Sequence, residues 1–401
     1  MGNKLGILIA GYGGAISSTV VAALDLMTRG LRPRLGMICE TTEPSGITVG
    51  SKLGAPDLAD TVISGWDVVP ETIGEALVTH QVLSDTDIRD VSAATKGMRP
   101  ILVPQKLTET TNGHYEFGGR IEKLRQDIQT FRAENQVDWV VVVNCMSTQP
   151  TPAWSANYES LEQFQTACAK GDPCVTPSME YACAAILEGA GYVNFTPNLA
   201  TIPALLELAN QKRVPLAGKD GKTGQTLLKT ALAPMFKLRG LQVQGWFSTN
   251  ILGNRDGEAL SEPDACNTKV TSKESCLDNI LGYEVDDHQV YIHYYRPRRD
   301  NKEAWDNIDV DGFLGYSMQI KVNFLCRDSI LAAPLILDLA RLMAVSMRQG
   351  EYGPLNQLSM FFKSPEVPVG TPVQHDLFVQ RQIFEEWVEK CSANAPVGAA
   401  V

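Results

Sequence analysis

The segment that most constrains this chain is its start, where Leu5, Ile7, Leu8, Ile9 and Ala10 run straight into Gly11-Tyr12-Gly13-Gly14. A short apolar run closed by glycines and followed by apolar residues at helical spacing reads as buried strand, tight turn and helix. The strand is expected over 4–10. The helix is expected over 17–31, with Val20, Val21, Leu24 and Met27 on one face. A second strand is expected over 35–39. Strand, glycine turn, helix, strand opens a doubly wound α/β fold.

In that context the turn is a candidate dinucleotide site. Gly11, Gly13 and Gly14 let a backbone approach a pyrophosphate, and Ala15, Ile16 and Ser17 open the helix whose N-terminus would face it. Ser17 stands where a further glycine is expected. Glu40, closing the expected second strand, is an acid placed to accept ribose hydroxyls, which favours NAD over NADP. Arg32 and Arg34 nearby pull the other way. The competing reading is a glycine-rich turn without a ligand.

Further along, 121–135 reads as a helix, and the valine-rich 137–145 as a parallel strand covered on both faces. Helices are expected over 158–170 and 178–189. After about residue 203 the texture changes. A helix over 225–238 precedes β-rich stretches at 242–252, 288–295 and 316–325, grouped as in an antiparallel or mixed sheet. An apolar helix over 329–347 and an amphipathic one over 377–391 end the ordered pattern.

Composition narrows the function. With 35 basic and 46 acidic residues the net charge is −11, so nucleic acid or an anionic substrate needs locally gathered cations. Nine scattered cysteines without a CxxC point to reduced thiols in a cytoplasmic protein. Five histidines form no ligand pattern, so no metal site is argued. No signal-peptide core is seen, and no apolar run is expected to span a bilayer.

Several loops carry chemistry-bearing residues. GKDGKTGQT at 218–226 is either a one-phosphate cradle or a capping turn with Thr223 at the helix N-cap. NILGNRDG at 250–257 has the composition of a turn. Lys269 and Lys273 are four apart and would share a helix face. Lys302 lies in RDNKEAW, and Lys363 follows the apolar run LSMFF. Asp328 either caps the helix that follows it or points at a ligand above the sheet edge, with Ser329 beside it.

Taken in order, these segments resemble the inositol-1-phosphate synthase family. GKDGKTGQT is similar to its GDDxKSGQT, NILGNRDG to its NHLGNNDG, and TKVTSKESCLDNI to its SKEISKSxxxDDI. DHQVYIHYYRPRRDNKEAWD, CRDSILAAPLILDL and FFKSP also follow family segments, and SGWD, with Asp67, follows its GGWD. Two segments depart: GxGGNNGT is GYGGAISST here, and WTANTER is replaced by 144–150, with Ser147 and Thr148.

The resemblance implies a Rossmann-like NAD domain from 1–205 and 326–401, interrupted at 206–325 by an α+β domain that packs subunits into a homotetramer. It implies cyclisation of glucose 6-phosphate to an inositol monophosphate, with NAD recycled: oxidation at C5, enolisation, aldol closure and reduction. It assigns Lys269 and Lys363 to the C5 oxygen, and Lys273 and Lys302 to charge at the enolate and phosphate. Thr223, Gly224, Gln225 and Thr226 would hold the phosphate and Asn254 the sugar hydroxyls. Asp220, Asp256 and Asp328 would neighbour the nicotinamide and lysines. Clustered lysines lower one another's pKa, which suits them to proton transfer near neutrality. Other readings are a sister synthase on another sugar phosphate, an NAD-binding scaffold without catalysis, and a net dehydrogenase.

Overall fold

The computed structural model describes residues 2–103, 116–253 and 276–393. Its strands are β1 (Leu5–Ala10), β2 (Thr61–Asp67), β3 (Ile101–Leu102), β4 (Trp139–Asn144), β5 (Gly191–Asn194), β6 (Pro215–Gly218), β7 (Gln242–Leu252), β8 (Asp287–Tyr294), β9 (Asn301–Asp311), β10 (Ser317–Arg327) and β11 (Gly353–Pro354). Seven form one sheet in the order β11-β6-β5-β4-β1-β2-β3, all pairs parallel.

That sheet is buried on both faces. Alternate side chains of a strand point to opposite sides, and β1 divides accordingly. Ile7 and Ile9 join Val141 and Val143 under helices α1 (Ala15–Thr28) and α6 (Asp328–Arg348). Leu8 joins Val140 and Val142 under α2 (Gly118–Asn135), α3 (Pro177–Leu187) and α4 (Pro203–Lys212). This is the doubly wound architecture expected from the opening residues. Helix α6 has the length and composition of a membrane span, but it carries Asp338 and Arg341 and 72% of its apolar stretch is buried in this core.

Two expectations are corrected. Residues 35–39 form no strand; Leu35 is 81% exposed and Gly36 turns the chain at φ +80. The Asp338 carboxylate of α6 takes the Ile38 and Cys39 N–H groups at 2.5 and 3.1 Å, donors that strand pairing would need. The strand beside β1 is instead β2, in register from Leu5↔Thr61 to Ala10↔Trp66. Strand β6 lies beyond the expected boundary at 205 yet belongs to the large sheet.

Strand β9 escaped sequence reading. Its inward positions are Lys302, Ala304, Asp306, Ile308 and Val310, so two charged side chains hide the apolar alternation. It is central to the second, four-stranded sheet, ordered β10-β9-β7-β8. That sheet is mixed: β7 and β8 are parallel, the other pairs antiparallel. Helix α5 (Gly224–Leu238) covers its inner face, where Ala233 and Phe236 pack on Trp246 and Ile308.

Candidate active site

The carboxyl ends of the parallel strands open into a cavity of about 560 Å³, the place where open α/β sheets take ligands. Its wall is built from the glycine turn after β1, the end of β2, the loop after β4, the loop after β6, inward residues of the second sheet and the start of α6.

On the nucleotide side, Gly11 has φ +87, and a Cβ there would lie 2.9 Å from the Cys145 carbonyl oxygen. The Gly11 and Tyr12 N–H groups bond the Trp66 carbonyl at 2.9 and 3.0 Å. Helix α1 starts from Gly14 with no side-chain cap and no acid in its first turn. Its positive end, with Ala15, Ile16 and Ser17, therefore faces the cavity uncompensated. Ser17, in the place of the missing glycine, donates its hydroxyl to the Gly11 carbonyl at 2.7 Å and ties the turn. A backbone cradle without side chains, at an uncapped helix start, fits a dinucleotide pyrophosphate.

The acid at the end of the second strand is Asp67. Its Oδ2 accepts the Gly13 N–H at 2.8 Å, and its Oδ1 accepts those of Val68 and Val69 at 2.7 and 3.1 Å. Asp67 lines the cavity; Glu40 does not. With no strand at 35–39, Glu40 lands beneath α6 and accepts from Arg341 at 2.6 Å. Arg32 and Arg34 are also engaged away from the cavity, with Asp87 and Asp90 and with Asp57. Ser147 and Thr148 line the opposite side, after β4.

On the catalytic side, two lysine–aspartate pairs face the same space. Lys363 Nζ lies 2.7 Å from Asp220 Oδ1, and its backbone N–H bonds the Asp220 carbonyl at 2.7 Å. These residues are 8% and 5% exposed. Asp220 sits at φ +62, a left-handed conformation that a non-glycine residue keeps only when its surroundings hold it there. Lys302 Nζ lies 3.2 Å from Asp328 Oδ1, which also accepts the Thr223 hydroxyl at 3.0 Å. Thr223 therefore does not cap α5 with its side chain, and Asp328 does not cap α6. Asp300, unforeseen, accepts Ser329 Oγ at 2.7 Å and its N–H at 3.2 Å, holding the start of α6.

Behind Thr223 the loop dives inward. Gly224, at φ +57, would place a Cβ 3.8 Å from Lys302 Nζ. Gln225 and Thr226 are buried behind the cavity wall rather than on it. The Gln225 amide donates to Asp306 at 3.1 Å and accepts from Asn250 at 2.6 Å. Burial pushes the Lys222 amine down to about 8, and its Nζ donates to Gln380 at 2.6 Å. Asn254, Asp256, Lys269 and Lys273 lie outside the described residues. Among the described residues no cluster of metal-ligating side chains occurs. Asp300 and Asp306 had no sequence signal of their own beyond flanking Lys302.

The profile of an NAD-binding family described as myo-inositol-1-phosphate synthase matches residues 5–389. The chain is 42% identical to inositol-3-phosphate synthase 1 of Bacteroides thetaiotaomicron, over 96% of this chain and 94% of that one. It is 30% identical to inositol-3-phosphate synthase of Drosophila melanogaster, over 98% and 79%. The crystal structure of the Caenorhabditis elegans inositol-3-phosphate synthase superposes with a TM-score of 0.89, at 26% identity, over 98% of this chain and 86% of that one. A Thermotoga maritima protein titled as myo-inositol-1-phosphate synthase-related, 23% identical with a TM-score of 0.76, covers 96% of this chain and 98% of its own and shares the fold. With a profile spanning nearly its whole length and relatives matched end to end, the chain belongs to the myo-inositol-1-phosphate synthase family.

Proposed function

We propose that this cleft converts D-glucose 6-phosphate into an inositol monophosphate with NAD as a recycled cofactor. The observation that carries the reading is that Lys302–Asp328 and Lys363–Asp220 open onto the same cavity as the glycine turn of a nucleotide-binding sheet. Held at the glycine turn, NAD would supply a hydride acceptor toward C5 and, once reduced, a hydride donor to the same carbon.

The side chains address the negative charge the reaction develops. Lys363, oriented by Asp220 and acting with Lys269, meets the C5 oxygen and carries its proton. Lys302, oriented by Asp328 and acting with Lys273, stabilises the enolate oxygen through which C6 becomes nucleophilic. Fixed cations in a partly dry site do this without reorganisation at the moment of reaction. Thr223, on the cavity wall at a helix start without a side-chain cap, receives the phosphate, with Gly224, Gln225 and Thr226 behind it shaping the turn. Asn254 orients the sugar hydroxyls, and Asp256 neighbours the nicotinamide. Gly11, Gly13, Gly14, Ala15, Ile16 and Ser17 hold the pyrophosphate, Asp67 the adenosine ribose, and Ser147, Thr148 and Ser329 the nicotinamide side.

The assembly is a homotetramer through the second sheet. Its outer face supports this, with Phe247 5.3 Å from Tyr291 and 6.0 Å from Trp305 between ring centroids on an uncovered surface. A cytoplasmic location fits the eight described cysteines, all free thiols. Incubation with glucose 6-phosphate and NAD, followed by NMR of the product, tests the reading. An inositol phosphate without net NADH is expected. Another carbocycle, or accumulating NADH, would refute it.

A further inference from the structure

The loop after β4 has no regular secondary structure, yet it forms one wall of the cavity from Cys145 to Pro150. Its backbone is held by side chains from a second loop, after β5. The Asn198 Oδ1 accepts the Gln149 N–H at 2.7 Å, and the Asn198 Nδ2 donates to the Ser147 carbonyl at 3.1 Å. One amide thus pairs with two backbone groups as a neighbouring strand would. The pairing has a fixed polarity, because a backbone N–H can only donate and a carbonyl can only accept. Asn198 is 3% exposed, so water offers no substitute.

Asn198 is itself fixed from behind. Its N–H bonds Thr196 Oγ1 at 3.2 Å, and its carbonyl accepts from Asn194 Nδ2 at 2.8 Å. Asn194 Oδ1 in turn accepts the Thr196 hydroxyl at 2.8 Å. On the other side, Asn144 Oδ1 takes the Met146 N–H at 3.2 Å, and Ser178 Oγ donates to Gln149 Oε1 at 3.2 Å. This buried amide network begins where β4 and β5 end, across β1 from Asp67. In an open α/β sheet the adenosine lies on the second-strand side, so the nicotinamide end falls on the β4 side.

We propose that Asn198 is a positioning residue that sets the shape of the Ser147–Gln149 wall, and through it the fit of the nicotinamide half of NAD. The inference rests on the NAD reading above. Asn198 touches neither cofactor nor substrate; it acts through two backbone groups.

Calorimetric titration with NAD and with ADP-ribose, which lacks the nicotinamide, separates positioning from general support. Asn198→Ala is expected to weaken NAD by about tenfold, the worth of the two lost hydrogen bonds. It should leave ADP-ribose within about twofold, since that half rests on the glycine turn and Asp67. Asn198→Asp supplies a second signature. Near pH 8 its carboxylate would repel the Ser147 carbonyl and weaken NAD at least as much as alanine does. Burial at a position 3% exposed and the facing Ser147 carbonyl hold the new carboxyl well above its ordinary value of about 4, so near pH 5 the protonated acid donates to that carbonyl again and affinity should return toward wild type. Nearby titratable groups, Asp220 through its N–H to Thr196, Glu366 on Thr201 and the buried Tyr192, are shared with wild type, whose own pH profile is the control.

A folded Asn198→Ala that binds NAD as wild type does would overturn the inference. Equal losses of NAD and ADP-ribose would also overturn it, as would an Asn198→Asp defect that does not recover at low pH. If alanine prevents folding, the aspartate variant at low pH carries the test. Wild type that binds neither ligand would refute the NAD reading itself.

Discussion

Replacing Lys363 by methionine separates what its ion pair does for stability from what it does for catalysis. The pair is 2.7 Å long, with side chains 10% and 8% exposed, so solvent screens it little. Methionine keeps the length of the chain and removes the charge. It leaves Asp220 buried opposite nothing, and a buried pair broken on one side costs about 3–5 kcal/mol. Adding Asp220→Asn removes the orphaned charge and should restore most of that stability. Turnover should behave differently. Loss of one preorganised charge facing a developing oxyanion lowers kcat by about 10²–10³, and the neutral pair cannot supply it. Urea unfolding and steady-state inositol phosphate production on the same three proteins provide the readout. Wild-type turnover by Lys363→Met would refute the reasoning. So would a double variant that recovers stability and rate together, because the pair would then be structural only.

Gly13→Val places side-chain atoms against Asp67, whose Oδ2 would lie only 3.3 Å from a Cβ at position 13, and should raise the Kd for NAD by about tenfold or more in fluorescence titration; unchanged affinity would remove the glycine turn from the site. Asp67→Ser should narrow the preference for NAD over NADP, because the carboxylate repels a 2′-phosphate; equal discrimination by the variant would contradict this. Burial pushes the Glu180 carboxyl up from 4.5 to about 7 against the opposing pull of Arg120, whose Nε lies 2.7 Å away, so the folded chain keeps a proton that the unfolded chain releases, and stability falls as pH rises between those values. Glu180→Gln should therefore gain about 3 kcal/mol on wild type between pH 5 and 8 in paired urea melts; parallel curves would refute the shift. Phe247→Asp with Trp305→Asp should reduce the mass seen by light scattering if the outer sheet face joins subunits; an unchanged mass would exclude that face.

Two strands of the large sheet, β1 and β4, were legible, whereas β2, β3, β5, β6 and β11 were not read. β1 and β4 are continuous apolar runs, as a parallel strand covered on both faces must be. The error at 35–39 came from a pattern that fits a strand, while the side chain that claims its donors, Asp338, is some three hundred residues away. No local rule reaches that far. β9 was hidden because Lys302 and Asp306 occupy inward positions where an ordinary strand would be apolar. Of the site, the glycine turn was readable from local order alone. That Asp220 and Asp328 would neighbour the lysines was expected only through family resemblance, and which lysine meets which aspartate was not read, since spacing within a segment says nothing about which loops converge. Asn198 went unseen because it acts on backbone atoms, which leaves no mark in the sequence, and Asp300 because its partner, Ser329, lies 29 residues on.

The pairing of Lys363 with Asp220 joins positions 143 apart, and that of Thr223 with Asp328 positions 105 apart. A chain emerging from the ribosome therefore completes β1 to β6 while one face of that sheet still lacks α6, its cover. The apolar face that α6 will cover waits exposed until more than a hundred further residues have been made, and only then can β11 close the sheet edge beside β6. Because such long-range closure is slow relative to local helix formation, competence arrives last and nearly at once: the segments that anchor both lysine–aspartate pairs dock together with the end of the chain. Loss of the C-terminal fifth would not trim this protein; it would leave an incomplete sheet whose nucleotide turn exists without the lysine that answers Asp220.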